Sequence, residues 1–500
     1  MAAIITEEFR RNNAQLLLND IVTIPHYMGI SQQTPWAENT EVPGAPYPKG
    51  TVGDTRRATQ GLTGLFRVNS DNVNLVIPRN DLVANRTYKV YNPFDPTCFY
   101  ASTTDNTFPC YITLDPNYLF LCIHKTSDAD FMTDGQIAAN LGDSGAGLND
   151  YGGVVTFDGY TWAYLGRYDQ YNFINSTEFV AFDNTITPTD QFNGDAETAA
   201  ENATGGLVHG FTVLYGGDGY TQEASTEGTN ISVNATIYGT DLNGDLKTDS
   251  ISVLVDYENS KLKNVRLNTI TSGIVDNYVE ARIELTDWTL GNGYSDPTAD
   301  AHIIVHVAPI DGFGADKAST LPAWYIGCYS DTGVAEYVPD TTTYHQISLI
   351  REPLQSGSET QLTTEYIQPL DYFELANWTS EEVTSVLPGW AIYQGNNKVG
   401  TLSHVQQVIS SNDSTPLNPI RYYYYNDYYN GYLNIDPDDT GVIKFVSPDG
   451  NDEVDTNTAV TNVQLSDYQR HSGKLIFEDN RSTVTRQDGQ SEELKVIIQL

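Results

Sequence analysis

The feature that most constrains the fold is a succession of short segments, rich in β-branched and aromatic residues, that begins near residue 65. Apolar and polar residues alternate in VNLVIP (73–78) and in RTYKVY (86–91). Such alternation is typical of strands with one face toward the core and the other toward water. Asn, Asp, Gly and Pro separate the segments at intervals too short for ordinary helices. The sequence therefore predicts a mainly β protein.

The length of 500 residues predicts more than one hydrophobic core, because single cores stop growing at roughly 250–300 residues. Polar stretches near 185–206 and 353–360 interrupt the strand pattern. We expect a core β domain formed by both chain ends, with inserted β modules. The predicted divisions are 1–185 for the N-terminal part of the core domain, 186–340 for one inserted module, 341–355 for a core strand, 356–460 for a second inserted module and 461–500 for the C-terminal strands of the core.

A short helix is predicted at the N-terminus. Thr6 is placed to cap it, and the carboxylates of Glu7 and Glu8 suit the positive end of the helix dipole. Pro25 ends the region. The residues expected on the buried face of this helix are Phe9, Leu16, Leu17 and Ile21.

A Pro- and Gly-rich run, TPWAENTEVPGAPYPKGT (34–51), follows the helix. Its prolines are incompatible with a helix or a central strand, so we expect an irregular arm over residues 34–60. The rings of Trp36 and Tyr47 are predicted to anchor this arm against a core.

The charge balance disfavours several classes of partner. The chain has 65 Asp and Glu against 26 Lys and Arg, a formal net charge of −39. Nucleic-acid binding and docking on anionic membranes both rely on a basic surface, so neither is expected. The sequence has no apolar run of about 20 residues that would span a membrane, and its charged N-terminus does not resemble a secretion signal. We expect a protein made in the cytoplasm.

The four cysteines, Cys98, Cys110, Cys122 and Cys328, lack the close spacing of zinc ligands. Buried free thiols are expected, because disulfides are rare in proteins made in the cytoplasm. A bridge between Cys98 and Cys110 is the alternative.

One loop is similar to a catalytic motif. LGDSGAGL (141–148) resembles the nucleophile loop of chymotrypsin-like proteases, with Ser144 in the place of the nucleophile. That chemistry also needs a histidine base and a buried aspartate. Neither His26 nor His124 lies in the small-residue context of that family. We interpret the segment as a loop, and we predict no enzymatic activity, no catalytic residue and no cofactor.

The segment DLNGDLKTDSIS (241–252) resembles a calcium-binding loop. Its candidate ligands, at the first, third, fifth and ninth positions of such a loop, are Asp241, Asn243, Asp245 and Asp249. However, Leu246 takes the place of the turn-making glycine, and Ser252 takes the place of the bidentate acid. A hairpin turn around Asn243-Gly244, without a metal, explains the same residues.

Two further segments predict strands. HIIVH (302–306) has the spacing of zinc ligands on a helix, but its β-branched interior favours a strand. On a strand, residues four apart are about 13 Å from each other, too far to share a metal ion. The run RYYYYNDYYNGY (421–432) should place tyrosines on both faces of a strand, although such rings also stack on sugars.

The segment RHSGKLIFEDNR (470–481) is unusually basic for so acidic a chain. Ser472 and Gly473 suit a turn or a bulge, and residues 475–477 predict a strand. We expect Arg470 and Arg481 to form ion pairs with the many carboxylates of the fold or of a dimer.

Several segments, from the first to the last part of the chain, share their order with a known family. They are IITEEFRRNNAQLLLNDI (4–21), YMGISQQTPWAENTEVPGAPYP (27–48), VIPRND (76–81), DGYTWAYL (158–165), YHQISLIREPL (344–354), RHSGKLIFEDNR (470–481) and EELKVIIQL (492–500). Together they resemble the baseplate wedge protein, of the gene-eight product type, of T-even-like contractile-tail bacteriophages.

This resemblance implies a β-sandwich with small helices at its sides. It also implies a non-enzymatic homodimer that lies beside other wedge subunits in the tail baseplate of the virion and repacks when the tail contracts. Nucleic acid, membrane and small-molecule substrates are not expected partners. The segments 186–340 and 356–460 are longer than the family's short form requires, and their role stays open. The alternative function is that of a receptor- or glycan-binding β-rich module of a tail fibre or surface.

The candidate interface residues come from the arm and from the C-terminal segment. They are Trp36, Tyr47, Arg470, His471, Lys474 and Arg481. Substitution of Arg470 by alanine is expected to weaken dimer or wedge assembly without abolishing folding, because charged groups at interfaces mainly fix the register of the partners.

Overall fold

The structure is a computed structural model of the chain. It describes residues 6–31, 42, 44, 51–83, 86–104, 106–114, 118–125, 154–157, 160–168, 174–182, 205–222, 228–268, 275–285, 294–295, 300–310, 312–313, 316–331, 343–375, 385–407, 420–425, 435–436, 442–456, 460–485 and 493–500. Within them the protein is mainly β, with a short N-terminal helix, which confirms the predicted fold class.

The chain divides into two compact units, and each contains segments that are distant in the sequence. The first unit contains Met1–Gln15, Asn74–Gly327 and Gln499–Leu500. The second contains Leu16–Val73 and Cys328–Ile498. The division into one core domain and two inserted modules stays a prediction.

The predicted N-terminal helix is present as α1 (Glu7–Thr23). The Thr6 hydroxyl caps it by accepting a hydrogen bond from the backbone N–H of Phe9 at 3.2 Å. The expected buried face is confirmed for Ile21 and is wrong for Phe9 and Leu16, which are 55% and 66% exposed. Ala14 and Ile21, seven residues apart and therefore on one side of the helix, are the residues that pack inward.

The irregular arm was expected to extend to residue 60, and this is wrong for its last part. Helix α2 (Val52–Thr59) begins there because Thr51 and Asp54 form a capping box, in which each side chain accepts a hydrogen bond from the other's backbone N–H. A third helix, α3 (Lys317–Thr320), is a single turn. No helix in the described part of the chain is long and apolar enough to cross a membrane.

Strands are the main elements of the described chain. In its first part they are β1 (His26–Ser31), β2 (Leu62–Val68), β3 (Val73–Pro78), β4 (Thr87–Tyr88), β5 (Thr107–Phe108), β6 (Tyr111–Leu114), β7 (Tyr118–Lys125), β8 (Val154–Phe157), β9 (Tyr160–Arg167) and β10 (Phe179–Ala181). In the middle part they are β11 (Val208–Tyr215), β12 (Thr221–Gln222), β13 (Gly228–Asp241), β14 (Leu246–Glu258), β15 (Lys261–Leu267), β16 (Tyr278–Leu285), β17 (Tyr294–Ser295) and β18 (His302–Val307). In the last part they are β19 (Tyr325–Asp331), β20 (Thr343–Arg351), β21 (Tyr366–Ile367), β22 (Asp371–Leu375), β23 (Ala391–Gln394), β24 (Asn397–Gln407), β25 (Ile420–Tyr425), β26 (Ile443–Val446), β27 (Glu453–Asp455), β28 (Val460–Gln464), β29 (Lys474–Thr485) and β30 (Glu493–Gln499).

A five-stranded sheet in the second unit joins early, middle and late segments of the chain. Its order is β21-β2-β1-β20-β29. The central strand β1 is buried along its whole length and pairs antiparallel with both β2 and β20. Strand β29 then adds to the other edge of β20. Both ends of the chain therefore contribute to one sheet.

A six-stranded sheet in the first unit closes on itself. Its order is β11-β18-β16-β13-β14-β15, and the long hairpin β13–β14 forms its centre. The two edges are joined by hydrogen bonds from the backbone N–H of Leu262 to the carbonyl of Gly216 at 2.8 Å and from Tyr220 to Ser260 at 2.9 Å. The enclosed apolar side chains include Val233, Val253, Val255, Tyr257 and Val265. We call this closed sheet the barrel.

A seven-stranded sheet in the second unit has the order β27-β26-β23-β24-β25-β22-β28. Tyr422 and Tyr424 of β25 lie in its core beside Phe373. Tyr423 points to the opposite face and stacks on His404, with ring centroids 4.5 Å apart. The described part of the tyrosine run is therefore a strand with rings on both faces, as the sequence predicts.

Candidate assembly interface

The C-terminal segment forms a turn followed by a strand, as predicted. His471 and Gly473 have positive φ angles of 65° and 83°, and Lys474 begins β29. A Cβ atom on Gly473 would lie 2.7 Å from Cγ2 of Ile350. Only glycine therefore fits this turn without strain.

A buried ion pair holds this strand to helix α2. The guanidinium of Arg57 donates two hydrogen bonds to the carboxylate of Glu478, one of them 2.7 Å long. The Glu478 side chain is 0% exposed and also accepts a hydrogen bond from the amide of Gln346 on β20. A buried carboxylate needs such partners to stay ionised.

His471 takes part in the same junction. Its Nδ1 shares a 2.9 Å hydrogen bond with Oγ1 of Thr59 on α2, and the backbone N–H of Leu475 donates to Oγ1 of Thr55. Burial lowers the pKa of His471 to about 4, so its ring is neutral near pH 7. This candidate interface residue is engaged within the fold.

The other candidate interface residues are placed as follows. Arg481 pairs with Asp479 at 3.6 Å on the surface of β29. Burial raises the pKa of Asp371, and the nearby positive charge of Arg470 opposes that rise. Lys474 is exposed. Trp36 and Tyr47 lie outside the described residues, as does Ser144 of the protease-like loop. Their roles stay predictions.

No family model and no curated protein matches this chain.

The segment with the calcium-loop spacing forms the hairpin turn between β13 and β14. The Asp241 carboxylate accepts hydrogen bonds from the backbone N–H groups of Asp245 at 2.8 Å and Asn243 at 2.9 Å. These bonds lower the pKa of Asp241, the bond from Asp245 most of all. Gly244 has a positive φ of 86°. The turn residues are thus explained by the hairpin itself.

Asp249 does not join the other candidate ligands at this turn. Its carboxylate accepts a 2.9 Å hydrogen bond from the hydroxyl of Tyr278 and lies 3.3 Å from the ammonium of Lys247. Among the residues that the structure describes, no group of three or more His, Cys, Asp and Glu side chains is placed to hold a metal ion.

The hairpin end of the barrel has an exposed apolar surface. Leu246 is 94% exposed, although its strand partner Thr240 is half-buried. Leu242 and Ile310 lie beside each other, because both border Gly205. We call Leu242, Leu246, Val279 and Ile310, which are all exposed, the barrel-end surface. Contiguous exposed apolar groups mark contact surfaces, and Leu242 and Ile310 both border Gly205.

A groove of about 440 Å³ adjoins this surface on the outer face of the barrel. It is lined by Tyr238, Gly239, Thr240, Leu246, Lys247, Thr248, Glu280, Ala281 and Arg282. The Tyr238 hydroxyl donates to the Glu284 carboxylate at 2.6 Å, and the Arg282 guanidinium lies 5.5 Å from the Tyr238 ring centroid. Tyr and Arg are the residue types that dominate binding energy at protein interfaces.

The histidines of HIIVH lie on strand β18, as expected, and do not share a site. His302 is exposed and His306 is buried. The His306 Nε2 shares a 2.7 Å hydrogen bond with Oγ1 of Thr212, and burial lowers its pKa to about 4. Its ring lies 5.7 Å from that of the fully buried His209. These neutral rings pack the interior of the first unit.

Sequence reasoning did not single out Leu246 and Leu242 as contact residues. The available signal was the leucine in the place of the turn-making glycine, next to a polar Asn-Gly-Asp turn.

Proposed function

We propose that this protein is a structural subunit of a contractile phage-tail baseplate, a homodimeric wedge component that joins neighbouring wedge proteins and repacks during tail contraction. In this proposal it is not an enzyme, and it lies in the virion after synthesis in the host cytoplasm.

The observation that carries this proposal is the position of the segments with the family resemblance. YMGIS forms β1, YHQISLIR forms β20 and KLIFEDNR begins β29. These three strands are neighbours in one sheet. A chance similarity in three distant segments would have no reason to fall on adjacent strands, so the arrangement supports a shared fold.

The barrel-end surface supports the assembly role. Its four aliphatic side chains are exposed, and one of them, Leu246, lines a groove that contains Tyr238 and Arg282. An interface of standard size buries about 800 Å² on each partner around such an apolar centre. We assign this surface to contact with a neighbouring wedge protein.

The test has two readouts. Purified full-length protein should sediment as a dimer, and mass spectrometry of purified contractile tails should detect the chain among the baseplate proteins. A monomer that is absent from tails would overturn the proposal.

A pair of leucine substitutions tests the surface itself. Leu246→Asp should remove the chain from assembled tails while leaving its circular dichroism unchanged. The matched control is Leu387→Asp, because Leu387 is also exposed but lies in the second unit. Equal incorporation of the two variants would show that the barrel-end surface is not an interface.

The groove favours one second candidate function, the binding of a host glycan by the barrel. The half-buried Tyr238 and the adjacent Glu280 and Arg282 line the groove and offer a ring and hydrogen-bonding groups to a sugar. Screening of the full-length protein on immobilised glycans tests this function. Binding that is lost in Tyr238→Ala but kept in Tyr215→Ala, which changes an exposed tyrosine outside the groove, would support it. Absence of binding would exclude it.

A further inference from the structure

Two buried cysteines in the first unit are joined by a backbone hydrogen bond. Cys98 lies in a short 3-10 helix (Pro96–Phe99), next to its last residue, and Cys110 directly precedes β6. The backbone N–H of Cys110 donates to the carbonyl of Cys98 at 2.9 Å. The two thiols also interact, since each shifts the pKa of the other.

This placement suits the formation of a disulfide. Disulfides span Cα distances of about 4.4–6.8 Å, and a direct backbone hydrogen bond of 2.9 Å keeps the Cα atoms of Cys98 and Cys110 close to that range. The four cysteines are free in the structure.

The two thiols differ in reactivity. The hydrogen bond from Cys110 lowers the pKa of Cys98, whereas burial raises the pKa of Cys110. Cys98 is also the less enclosed, at 3% exposed against 0% for Cys110. The thiolate is the reactive form, so Cys98 is the thiol that an oxidant meets first.

We propose that Cys98 and Cys110 are an oxidative modification site, which a peroxide converts into an intramolecular disulfide. The Cys98 thiolate attacks one peroxide oxygen, the O–O bond breaks, and Cys98 becomes a sulfenic acid while hydroxide leaves. The Cys110 sulfur then attacks the Cys98 sulfur, an S–S bond forms, and the sulfenic oxygen leaves as hydroxide. The two thiol protons and the two hydroxides give two waters. Two thiols are thus oxidised by two electrons, and one peroxide is reduced.

The disulfide would close the loop of residues 98–110. This loop contains β5 and the backbone bridge between Ser102 and Thr107. Closing it restricts the unfolded chain, so oxidation should raise the melting temperature by several degrees.

The chain provides two internal controls. Cys122 is close enough to compete, because its backbone N–H donates to the Cys110 carbonyl, but its thiol donates to the His124 carbonyl at 3.7 Å. Cys328 is buried alone, and burial raises its pKa to about 12. Among the four cysteines, only the Cys98–Cys110 pair combines a direct backbone hydrogen bond with a thiol whose pKa is lowered.

The experiment treats the folded full-length protein with hydrogen peroxide at neutral pH, blocks remaining thiols with an alkylating agent and digests the chain without reduction. A protease that cuts before aspartate places Cys98 in peptide 95–104, Cys110 in 105–114 and Cys122 in 115–127. We expect the first two peptides to be joined, lighter by two hydrogen atoms than their sum, and separated again by dithiothreitol.

Three results would overturn the proposal: four alkylated cysteines, a link between Cys110 and Cys122, or a sulfinic acid on Cys98 with no link. Peroxide should raise the melting temperature of the wild type and of Cys328→Ser equally. It should leave that of Cys98→Ser unchanged. The peptide map of the wild type decides the question even if the Cys98 variant does not fold.

Discussion

Removal of the buried ion pair between Arg57 and Glu478 should reveal how strongly helix α2 is held to the C-terminal strand. In Arg57→Ala the Glu478 carboxylate, which is 0% exposed, keeps only the hydrogen bond from Gln346. Breaking one side of a buried pair costs about 3–5 kcal/mol, and a surface pair costs about 0–1 kcal/mol. Because the Arg57 side chain is 37% exposed, water replaces part of its contribution, and we expect a loss of about 3 kcal/mol.

The reverse substitution should be milder. Glu478→Gln leaves an unpaired guanidinium, but Arg57 already reaches solvent and can be hydrated there. We expect a loss of about 1–2 kcal/mol. This asymmetry between the two substitutions is not expected of a purely steric defect.

Equilibrium unfolding in urea, followed by circular dichroism, measures these differences. The control is Arg481→Ala. Arg481 pairs with Asp479 at 3.6 Å, and both side chains are about two-fifths exposed. This substitution should change the free energy of unfolding by less than about 0.5 kcal/mol. An Arg57→Ala variant that is no more destabilised than this control would show that the ion pair does not hold α2 to the C-terminal strand.

Three further predictions concern the histidines, the C-terminal turn and the hairpin. Lowering the pH from about 7.5 to about 5 should reduce the free energy of unfolding by about 2 kcal/mol for each of His124, His209 and His306. In the unfolded chain each histidine takes up a proton below about pH 6.5, whereas burial in the folded protein lowers the pKa values to about 4, 3 and 4. Urea midpoints that are constant over this pH range would contradict the prediction. Gly473→Ala should cost about 1–3 kcal/mol in the same assay, since φ is positive and Ile350 fills the space. Asp241→Ala should lower the melting temperature, because two backbone N–H groups lose their acceptor. Added calcium should not change the melting temperature of the wild type. A calcium-dependent rise would favour the calcium-binding interpretation of this loop instead.

Local patterns predicted the local structure well. The strand in KLIFED, the turn at Ser472 and Gly473, and the Thr6 cap all follow from neighbouring residues, and all are present. The tyrosine run likewise had to place rings on both faces of a strand, because side chains alternate along it.

Features that depend on tertiary packing were not predicted. The inward face of α1 is chosen by what lies against it, so Ala14 is buried while the larger Leu16 is exposed. Helix α2 has only eight residues, and its capping box directly follows a Pro-rich run that favours irregular structure. The barrel closes through contacts between β11 and β15, about 50 residues apart, and no local pattern encodes such a closure.

The strand order of the five-stranded sheet also determines when its strands can pair during biosynthesis. Strand β1 (His26–Ser31) can pair early with β2, but its other neighbour, β20 (Thr343–Arg351), leaves the ribosome only after about 300 more residues. At 5–20 residues per second this takes roughly 15–60 s. During that time one edge of a strand that is later fully buried has no partner. A nascent or truncated chain is therefore most exposed to edge-to-edge aggregation before residue 343, and completion of β20 and β29 removes this risk.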